Sequence, residues 1–116
     1  MDNNDRKSFE KERYLLNDLL VQYSNKTTKR FFSLDTQAYE GGALDKKTKE
    51  MLGMVASLVL RCDDCIKYHL IQCHNLGVSD KEIEEVVAIG LIVGGSITIP
   101  HIRRAVSFWD GLGEDK

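Results

Sequence analysis

Apolar residues recur at helical spacing through most of this chain. Between Arg6 and Tyr23 they follow one side of a charged run, which predicts an amphipathic helix. Asp45 is a suitable N-cap for a helix through KKTKEMLGMVASLVL. A further helix is predicted from CDDC, just after Arg61, to CHNLGVS, where Gly77 fits a left-handed C-cap. We expect the two helices that meet at Arg61 to form a central hairpin.

Two more helices are predicted in the last third of the chain. Ser79 and Glu82 have capping-box spacing and open the helix KEIEEVVAIGLIV. This helix becomes apolar on all sides towards its end, so we expect it to be buried against another subunit. After Gly94-Gly95, SITIPHIRRAVSFWDGLG forms a last helix, in which Pro100 is tolerated near the start or causes a kink.

The segment between the first two predicted helices has a different composition. Residues 24–45 are rich in turn formers and end in Gly41-Gly42, so we interpret them as a long connection with one helical turn at most. No segment has the pattern of a β-hairpin. The sequence therefore predicts an all-α fold of five to six helices.

Length and composition limit the functions that this chain can have. Its 116 residues are treated as one domain, residues 1–116, with 42% hydrophobic and 29% charged residues, as in an ordinary globular protein. The net charge of -2 gives no electrostatic reason to expect nucleic acid or a membrane as a partner. The start, MDNNDRKSFEKER, lacks the apolar core of a signal peptide, and no later segment is long enough for a membrane span. We therefore expect a cytoplasmic protein.

The stretch RCDDCIKYH carries the candidate chemistry. On a helix, offsets of three and four residues place Cys62, Cys65 and His69 within roughly 60° of one another. Cys73 continues the stripe but lies on the order of 16 Å from Cys62, too far to share one metal ion. The chain has three cysteines, an odd number, and the cytosol is reducing, so a static disulfide framework is not expected.

The residues alone leave three interpretations of this stretch open. The cysteines can be small buried hydrophobes, with His69 as a core histidine. They can bind zinc with His69 and a fourth ligand from His74, His101 or another subunit, although no second ligand pair is present. They can also be reactive thiols, because a helix N-terminus favours thiolate and His69 lies close enough to Cys65 to accept its proton.

Acidic residues bear on the third interpretation. Glu50 lies in the preceding helix, and a hairpin would let it relay protons to His69 or to a water. Its position is explained equally well if Glu50 is an exposed glutamate in a lysine-rich turn. Asp63 and Asp64 put negative charge beside the thiols and would raise their pKa unless they turn to solvent. The sequence does not decide whether these charges or the helix N-terminus has the larger effect on the pKa of the thiols.

Glu50, eleven residues and then Cys62-x-x-Cys65-x-x-x-His69 together resemble the signature of alkylhydroperoxidase D-like (AhpD-like) proteins in the carboxymuconolactone decarboxylase family. The likeness covers a core of residues 35–110, with residues 1–34 as an N-terminal helix and connection. It implies an AhpD-like helical bundle that assembles as a trimer or hexamer. It also implies that Cys65 attacks hydrogen peroxide or an organic hydroperoxide and that Cys62 resolves the sulfenic acid as a disulfide. Glu50 and His69 would then form the proton relay.

The resemblance also sets expectations for cofactors and partners. It implies no metal and no cofactor beyond the redox-active disulfide, which an electron-donor protein or small thiol would reduce. Asp64 departs from the pattern, because members with this activity often carry histidine or tyrosine between the cysteines. Two alternatives stay open: a disulfide reductase or redox partner, and a non-catalytic oligomeric module whose cysteines are structural or bind zinc. Cys73 lies outside the motif and is expected to pack in the core.

Overall fold

The chain is helical throughout the part that the structure describes. This structure is a computed structural model, and it describes residues 3–113. Within that range it contains six α-helices, one short 3-10 turn (Ser96–Thr98) and no strand, which confirms the all-α prediction. None of the helices in this range combines the length and the hydrophobicity needed to span a bilayer. The helices are α1 (Asn3–Gln22), α2 (Lys26–Ala38), α3 (Lys46–Leu60), α4 (Asp63–Asn75), α5 (Asp80–Gly94) and α6 (Ile99–Leu112).

Local caps set the ends of several helices where the sequence predicts them. The Asp45 side chain accepts a hydrogen bond from the backbone N–H of Thr48 at the start of α3. Ser79 and Glu82 form a reciprocal capping box at the start of α5. Gly77 follows α4 in the left-handed region, with φ of 79°. These three predictions are confirmed.

A single left-handed residue turns the chain between α3 and α4. Arg61 has φ of 58°, a conformation that costs a non-glycine residue about 1 kcal/mol. The turn is held by the N–H of Arg61, which donates to Leu58, and by the N–H of Cys62, which donates to Ser57. Cys62 is therefore the N-cap of α4 directly after this turn. The predicted central hairpin consists of α3 and α4, with almost no connecting loop.

The predicted connection over residues 24–45 is wrong for most of its length, because residues 26–38 form α2. The division of residues 1–34 into one helix and a connection fails for the same reason. Asn25 starts α2 by accepting hydrogen bonds from the backbone N–H groups of Thr27 and Thr28. The turn formers at Ser24-Asn25 and Gly41-Gly42 bound the helix and do not interrupt it.

The core lies where α3, α4 and α6 pack together, and α1 covers one side of it. Phe9 of α1 packs edge-to-face on Phe108 of α6, with ring centroids 6.2 Å apart. Gly90 lets α5 approach α3, because a Cβ there would lie 2.8 Å from Leu58 Cδ1. The side chains that are almost fully buried include Met54, Leu58, Ile66, Leu70, Cys73 and Leu112.

Candidate active site

A buried glutamate and a buried histidine face each other across the α3–α4 hairpin. Glu50 in α3 is 1% exposed and His69 in α4 is 8% exposed. Glu50 Oε1 lies 2.7 Å from His69 Nδ1, so we assign the imidazole tautomer in which Nδ1–H donates to the carboxylate. The bond satisfies two polar groups that would be costly to bury alone. It also fixes the imidazole ring with Nε2 directed away from Glu50.

Gly53 makes room for the histidine and for a tyrosine beside it. The Tyr39 hydroxyl lies 3.5 Å from His69 Nε2, and the two ring centroids are 5.4 Å apart. A Cβ on Gly53 would lie 2.6 Å from both His69 Cε1 and the Tyr39 hydroxyl oxygen. Burial, and then the charge of Glu50, raise the pKa of Tyr39 above its ordinary value. Tyr39 is therefore protonated at neutral pH.

The two motif cysteines form a disulfide at the N-terminus of α4, with Cα atoms 5.3 Å apart. Cys65 lies in the first turn and is exposed, whereas Cys62 is only partly exposed. Cys62 is the N-cap, so it precedes the helical face that Cys65 and His69 share. Its sulfur accepts a hydrogen bond from the backbone N–H of Cys65 at 3.3 Å. Once the disulfide opens, this N–H and the helix dipole favour a thiolate on Cys62.

The two aspartates between the cysteines have different surroundings. Asp64 is exposed to solvent. Asp63 Oδ1 lies 2.8 Å from His101 Nδ1, and Arg104 Nε donates to Asp63 Oδ2 at 3.0 Å. Burial alone would raise the pKa of Asp63, but the bond to His101 and the Arg104 charge outweigh it and hold the pKa below its usual value. Both acidic charges beside the sulfurs are therefore either hydrated or neutralised.

The third cysteine belongs to the core. Cys73 is 0% exposed, and burial, with a smaller effect of the Glu50 charge, raises the pKa of its thiol to about 12. It therefore stays a neutral thiol at physiological pH and has the packing position that the sequence predicts. Within residues 3–113, no group of three or more histidine, cysteine, aspartate or glutamate side chains is arranged to hold a metal ion.

The structure brings the four motif residues together as two pairs. Glu50 and His69 form a buried hydrogen-bonded pair, and Cys62 and Cys65 form the disulfide one helical turn before His69. The sequence did not identify Tyr39, which lies 30 residues before His69 along the chain. The local signal that could have marked Tyr39 is an aromatic residue just before the Gly41-Gly42 turn, which is a weak signal alone.

Solved structures with similar folds include proteins from Thermotoga maritima and Legionella pneumophila. Two crystal structures of one Thermotoga maritima protein are 55% identical to this chain. The first covers 93% of this chain and 95% of its own, with a TM-score of 0.91. The second covers 92% of this chain and 91% of its own, with a TM-score of 0.88. One of them is described as a carboxymuconolactone decarboxylase family protein with a possible involvement in antioxidative response. A carboxymuconolactone decarboxylase family protein from Legionella pneumophila, in its apo form, is 26% identical over 97% of this chain and 90% of its own, with a TM-score of 0.61.

Sequence comparison agrees with the structural comparison. An uncharacterized protein from Cupriavidus necator is 27% identical over 75 residues, which are 65% of this chain and 66% of that protein, slightly under two thirds of its length. Residues 25–107 match the Carboxymuconolactone decarboxylase family. That match covers well over half of the chain and confirms the resemblance carried by the Glu-Cys-Cys-His motif: the chain belongs to the carboxymuconolactone decarboxylase family.

Proposed function

We propose that this protein is a thiol peroxidase that reduces hydrogen peroxide or organic hydroperoxides through a Cys62–Cys65 dithiol and disulfide cycle. The observation that carries the proposal is a disulfide at an exposed helix N-terminus, one turn from a buried Glu50–His69 pair. The family and the description of the Thermotoga maritima protein are compatible with it. A reducing cytoplasm is the compartment in which such a disulfide is readily returned to the dithiol.

The oxidative half of the proposed cycle forms the disulfide. The Cys65 thiolate attacks one peroxide oxygen, the O–O bond breaks, and the departing oxygen takes a proton to leave as alcohol or water. The Cys62 sulfur then attacks the Cys65 sulfenic acid and displaces its hydroxyl as water. Of the two thiol protons, one ends in the alcohol or water that leaves the peroxide, and the other ends in the water that leaves the sulfenic acid. His69, held by Glu50, is placed to move these protons.

The reductive half uses an external dithiol and the difference in exposure between the two sulfurs. Cys65 is exposed, so an incoming thiolate would attack its sulfur and form a mixed disulfide. Cys62 would leave as the thiolate, which the Cys65 N–H and the dipole of α4 stabilise. The second donor thiol then releases reduced Cys65. The donor is oxidised by two electrons, and no resident cofactor is needed.

Hydroperoxide consumption with dithiothreitol as the reductant tests this proposal. Cys65→Ser should reduce turnover to background, because it removes the thiol that attacks the peroxide and the partner with which Cys62 forms the disulfide. Cys73→Ala is the matched control, since it also removes a thiol, but one from the core. We expect this control to keep the parent rate. A Cys65→Ser protein that consumed peroxide at the parent rate would overturn the proposal.

A second candidate function, exchange with a protein disulfide, is supported by how accessible the sulfurs are. Neither Cys62 nor Cys65 lines the cavities beside Trp109 and Phe9, of about 660 and 430 Å³. The exposed sulfur of Cys65 can be reached by a macromolecule as well as by a peroxide. Turnover of cumene hydroperoxide and of a reducible protein disulfide, measured on the same sample, would separate these functions.

We also propose that the chain assembles with copies of itself. Its accessible surface is 7646 Å², whereas a folded monomer of 13.2 kDa exposes about 6,400 Å². The excess of about 1,200 Å² exceeds the roughly 800 Å² that each partner buries in a standard interface. The apolar end of α5 is not covered within this chain, since Ile92 is 81% and Val93 is 65% exposed. A second copy of the same helix is its proposed partner, and a trimer or hexamer is the expected assembly.

A further inference from the structure

A third side chain completes the hydrogen bonds around His69. Glu50 occupies Nδ1, and the Tyr39 hydroxyl lies 3.5 Å from Nε2, so both ring nitrogens have a partner. Glu50 and His69 are buried, whereas Tyr39 is partly exposed. We infer that Tyr39 is a positioning and proton-transfer residue that links the buried Glu50–His69 pair to the surface. This inference rests on the proposed dithiol function and adds a residue that the Glu-Cys-Cys-His motif does not contain.

The chemistry of the phenol suits this role. With Nδ1–H directed to Glu50, Nε2 of neutral His69 carries a lone pair, and the Tyr39 O–H donates to it. When the dithiol, one helical turn from His69, releases a proton that reaches Tyr39, the hydroxyl passes its own proton to Nε2 and takes up the new one. Tyr39 therefore transfers a proton by exchange and never has to ionise, as its raised pKa requires.

Lys49 holds Tyr39 in place from α3. Its Nζ donates to the carbonyl oxygen of Ala38 at 3.0 Å and to that of Glu40 at 2.6 Å, the residues on either side of Tyr39. Lys49 and Glu50 are neighbours in sequence, so one turn of α3 positions both ends of the Glu50–His69–Tyr39 chain. The preceding helix, α2, has no buried residue and so contributes little to this positioning.

Several charged or titratable groups surround Tyr39 and His69 and affect any pH profile measured there. Burial, and then the negative charges of Glu50 and Asp35, raise the pKa of Tyr39. Tyr68 packs edge-on against His69, and Arg13 lies 4.2 Å from the centre of the Tyr68 ring. The groups to be considered are Glu50, Asp35, Tyr68, Arg13, Lys49 and Cys73.

Tyr39→Phe tests the inference, with Tyr68→Phe as the matched control. Each variant keeps an aromatic ring against His69 and removes one hydroxyl, but only the Tyr39 hydroxyl is hydrogen-bonded to His69. The readout is the rate of Cys65 alkylation by iodoacetamide in the reduced protein, measured against pH by peptide mass spectrometry. Loss of one neutral hydrogen bond should slow alkylation about three- to tenfold near neutral pH. The same loss should move the pH of half-maximal rate by about 0.5 to 1 unit.

The result for the control decides between a hydroxyl role and a packing role. We expect Tyr68→Phe to follow the parent profile within about twofold, which is less than the loss of one hydrogen bond. A Tyr39→Phe profile equal to the parent profile would overturn the inference. Equal changes in both variants would also overturn it, because they would show that packing of the rings matters and the Tyr39 hydroxyl does not.

A second pair of variants covers the case in which Tyr39→Phe fails to fold. Lys49→Met removes the clamp and keeps the aliphatic stem, and Lys46→Met is the control in the same turn at an exposed position. We expect only Lys49→Met to slow Cys65 alkylation; equal rates in both variants would overturn the inference. Alkylation requires no peroxide, so failure of the proposed peroxidase activity is read from turnover and is distinguishable from failure of this inference.

Discussion

Replacing Gly53 with alanine tests how closely the Glu50–His69 pair is packed. The new Cβ would lie 2.6 Å from His69 Cε1, 2.9 Å from His69 Nδ1 and 2.6 Å from the Tyr39 hydroxyl oxygen. Real Cβ atoms do not approach other atoms so closely, so the imidazole must move. Because Nδ1 lies 2.7 Å from Glu50 Oε1, movement of the ring weakens or breaks that hydrogen bond.

The magnitude follows from three opposing effects. Alanine in a helix interior is favoured over glycine by about 1 kcal/mol. Overpacking of a well-packed site costs about 1 to 3 kcal/mol, and a hydrogen bond to a charged group contributes about 1.5 to 3 kcal/mol. We therefore expect Gly53→Ala to lower the free energy of unfolding by about 1.5 to 5 kcal/mol, although helix propensity alone predicts a more stable protein.

Gly90→Ala is the matched control. Its Cβ would lie 2.8 Å from Leu58 Cδ1, so it also overpacks a helix contact, but no residue of the Glu50–His69 pair is involved. We expect a loss of between about 0 and 2 kcal/mol for this variant, with the parent alkylation rate at Cys65. Urea unfolding gives the stabilities, and iodoacetamide alkylation gives the thiol reactivity. A Gly53→Ala protein as stable as the parent, with an unchanged alkylation profile, would refute the packing argument.

Three further predictions concern the sulfurs, the aspartate between them and the apolar surface. Treating reduced Cys62→Ser with 5,5′-dithiobis(2-nitrobenzoate) should leave a stable mixed disulfide at Cys65 and release one 5-thio-2-nitrobenzoate, because no Cys62 thiol is present to displace the adduct; absence of an adduct at Cys65 would contradict the proposed attack at that sulfur. Because the pKa of Asp63 is lowered in the folded state, ionised Asp63 stabilises the fold at pH values above its unfolded-state pKa of about 3.9. This stabilisation is lost as the pH falls through the lower folded-state pKa. Asp63→Asn should therefore show a smaller loss of melting temperature than the parent between about pH 6 and pH 2, and an equal loss would exclude this role. Ile92→Asp should reduce the sedimentation coefficient of the assembly and Lys81→Asp should not; a parent protein that sediments as a monomer would contradict the proposed self-association.

Most of the helices could be predicted because their signals are local. Asp45, Ser79 and Gly77 lie within a few residues of the backbone groups that they cap, so the sequence displays each cap directly. The second helix, Lys26–Ala38, could not be predicted in the same way. It buries none of its side chains within this chain, so its apolar residues need not follow the spacing of a core-facing helix.

In the candidate site too, contacts that are local in sequence could be predicted and contacts between distant segments could not. Cys65 and His69 are one helical turn apart, so their spacing predicts that they share a helix face. The hairpin brings Glu50 beside His69, but the sequence left an exposed Glu50 open, and only its burial in the structure excludes that alternative. His101 and Arg104 reach Asp63 only because α6 packs on α4, and His101 is 38 residues away in sequence. The sequence considered His101 as a candidate fourth zinc ligand, whereas in the structure its partners are Asp63 and Arg104.

The central claim is that peroxide converts the Cys62 and Cys65 dithiol into a disulfide. Fully reduced protein is treated with one equivalent of hydrogen peroxide, denatured, alkylated and mapped by mass spectrometry, with buried Cys73 as the internal standard. The account predicts a mass lower by two hydrogens, Cys62 and Cys65 protected from alkylation, and reversal by dithiothreitol, while Cys73 remains alkylated throughout. Free, alkylated Cys62 and Cys65 after peroxide treatment would contradict it.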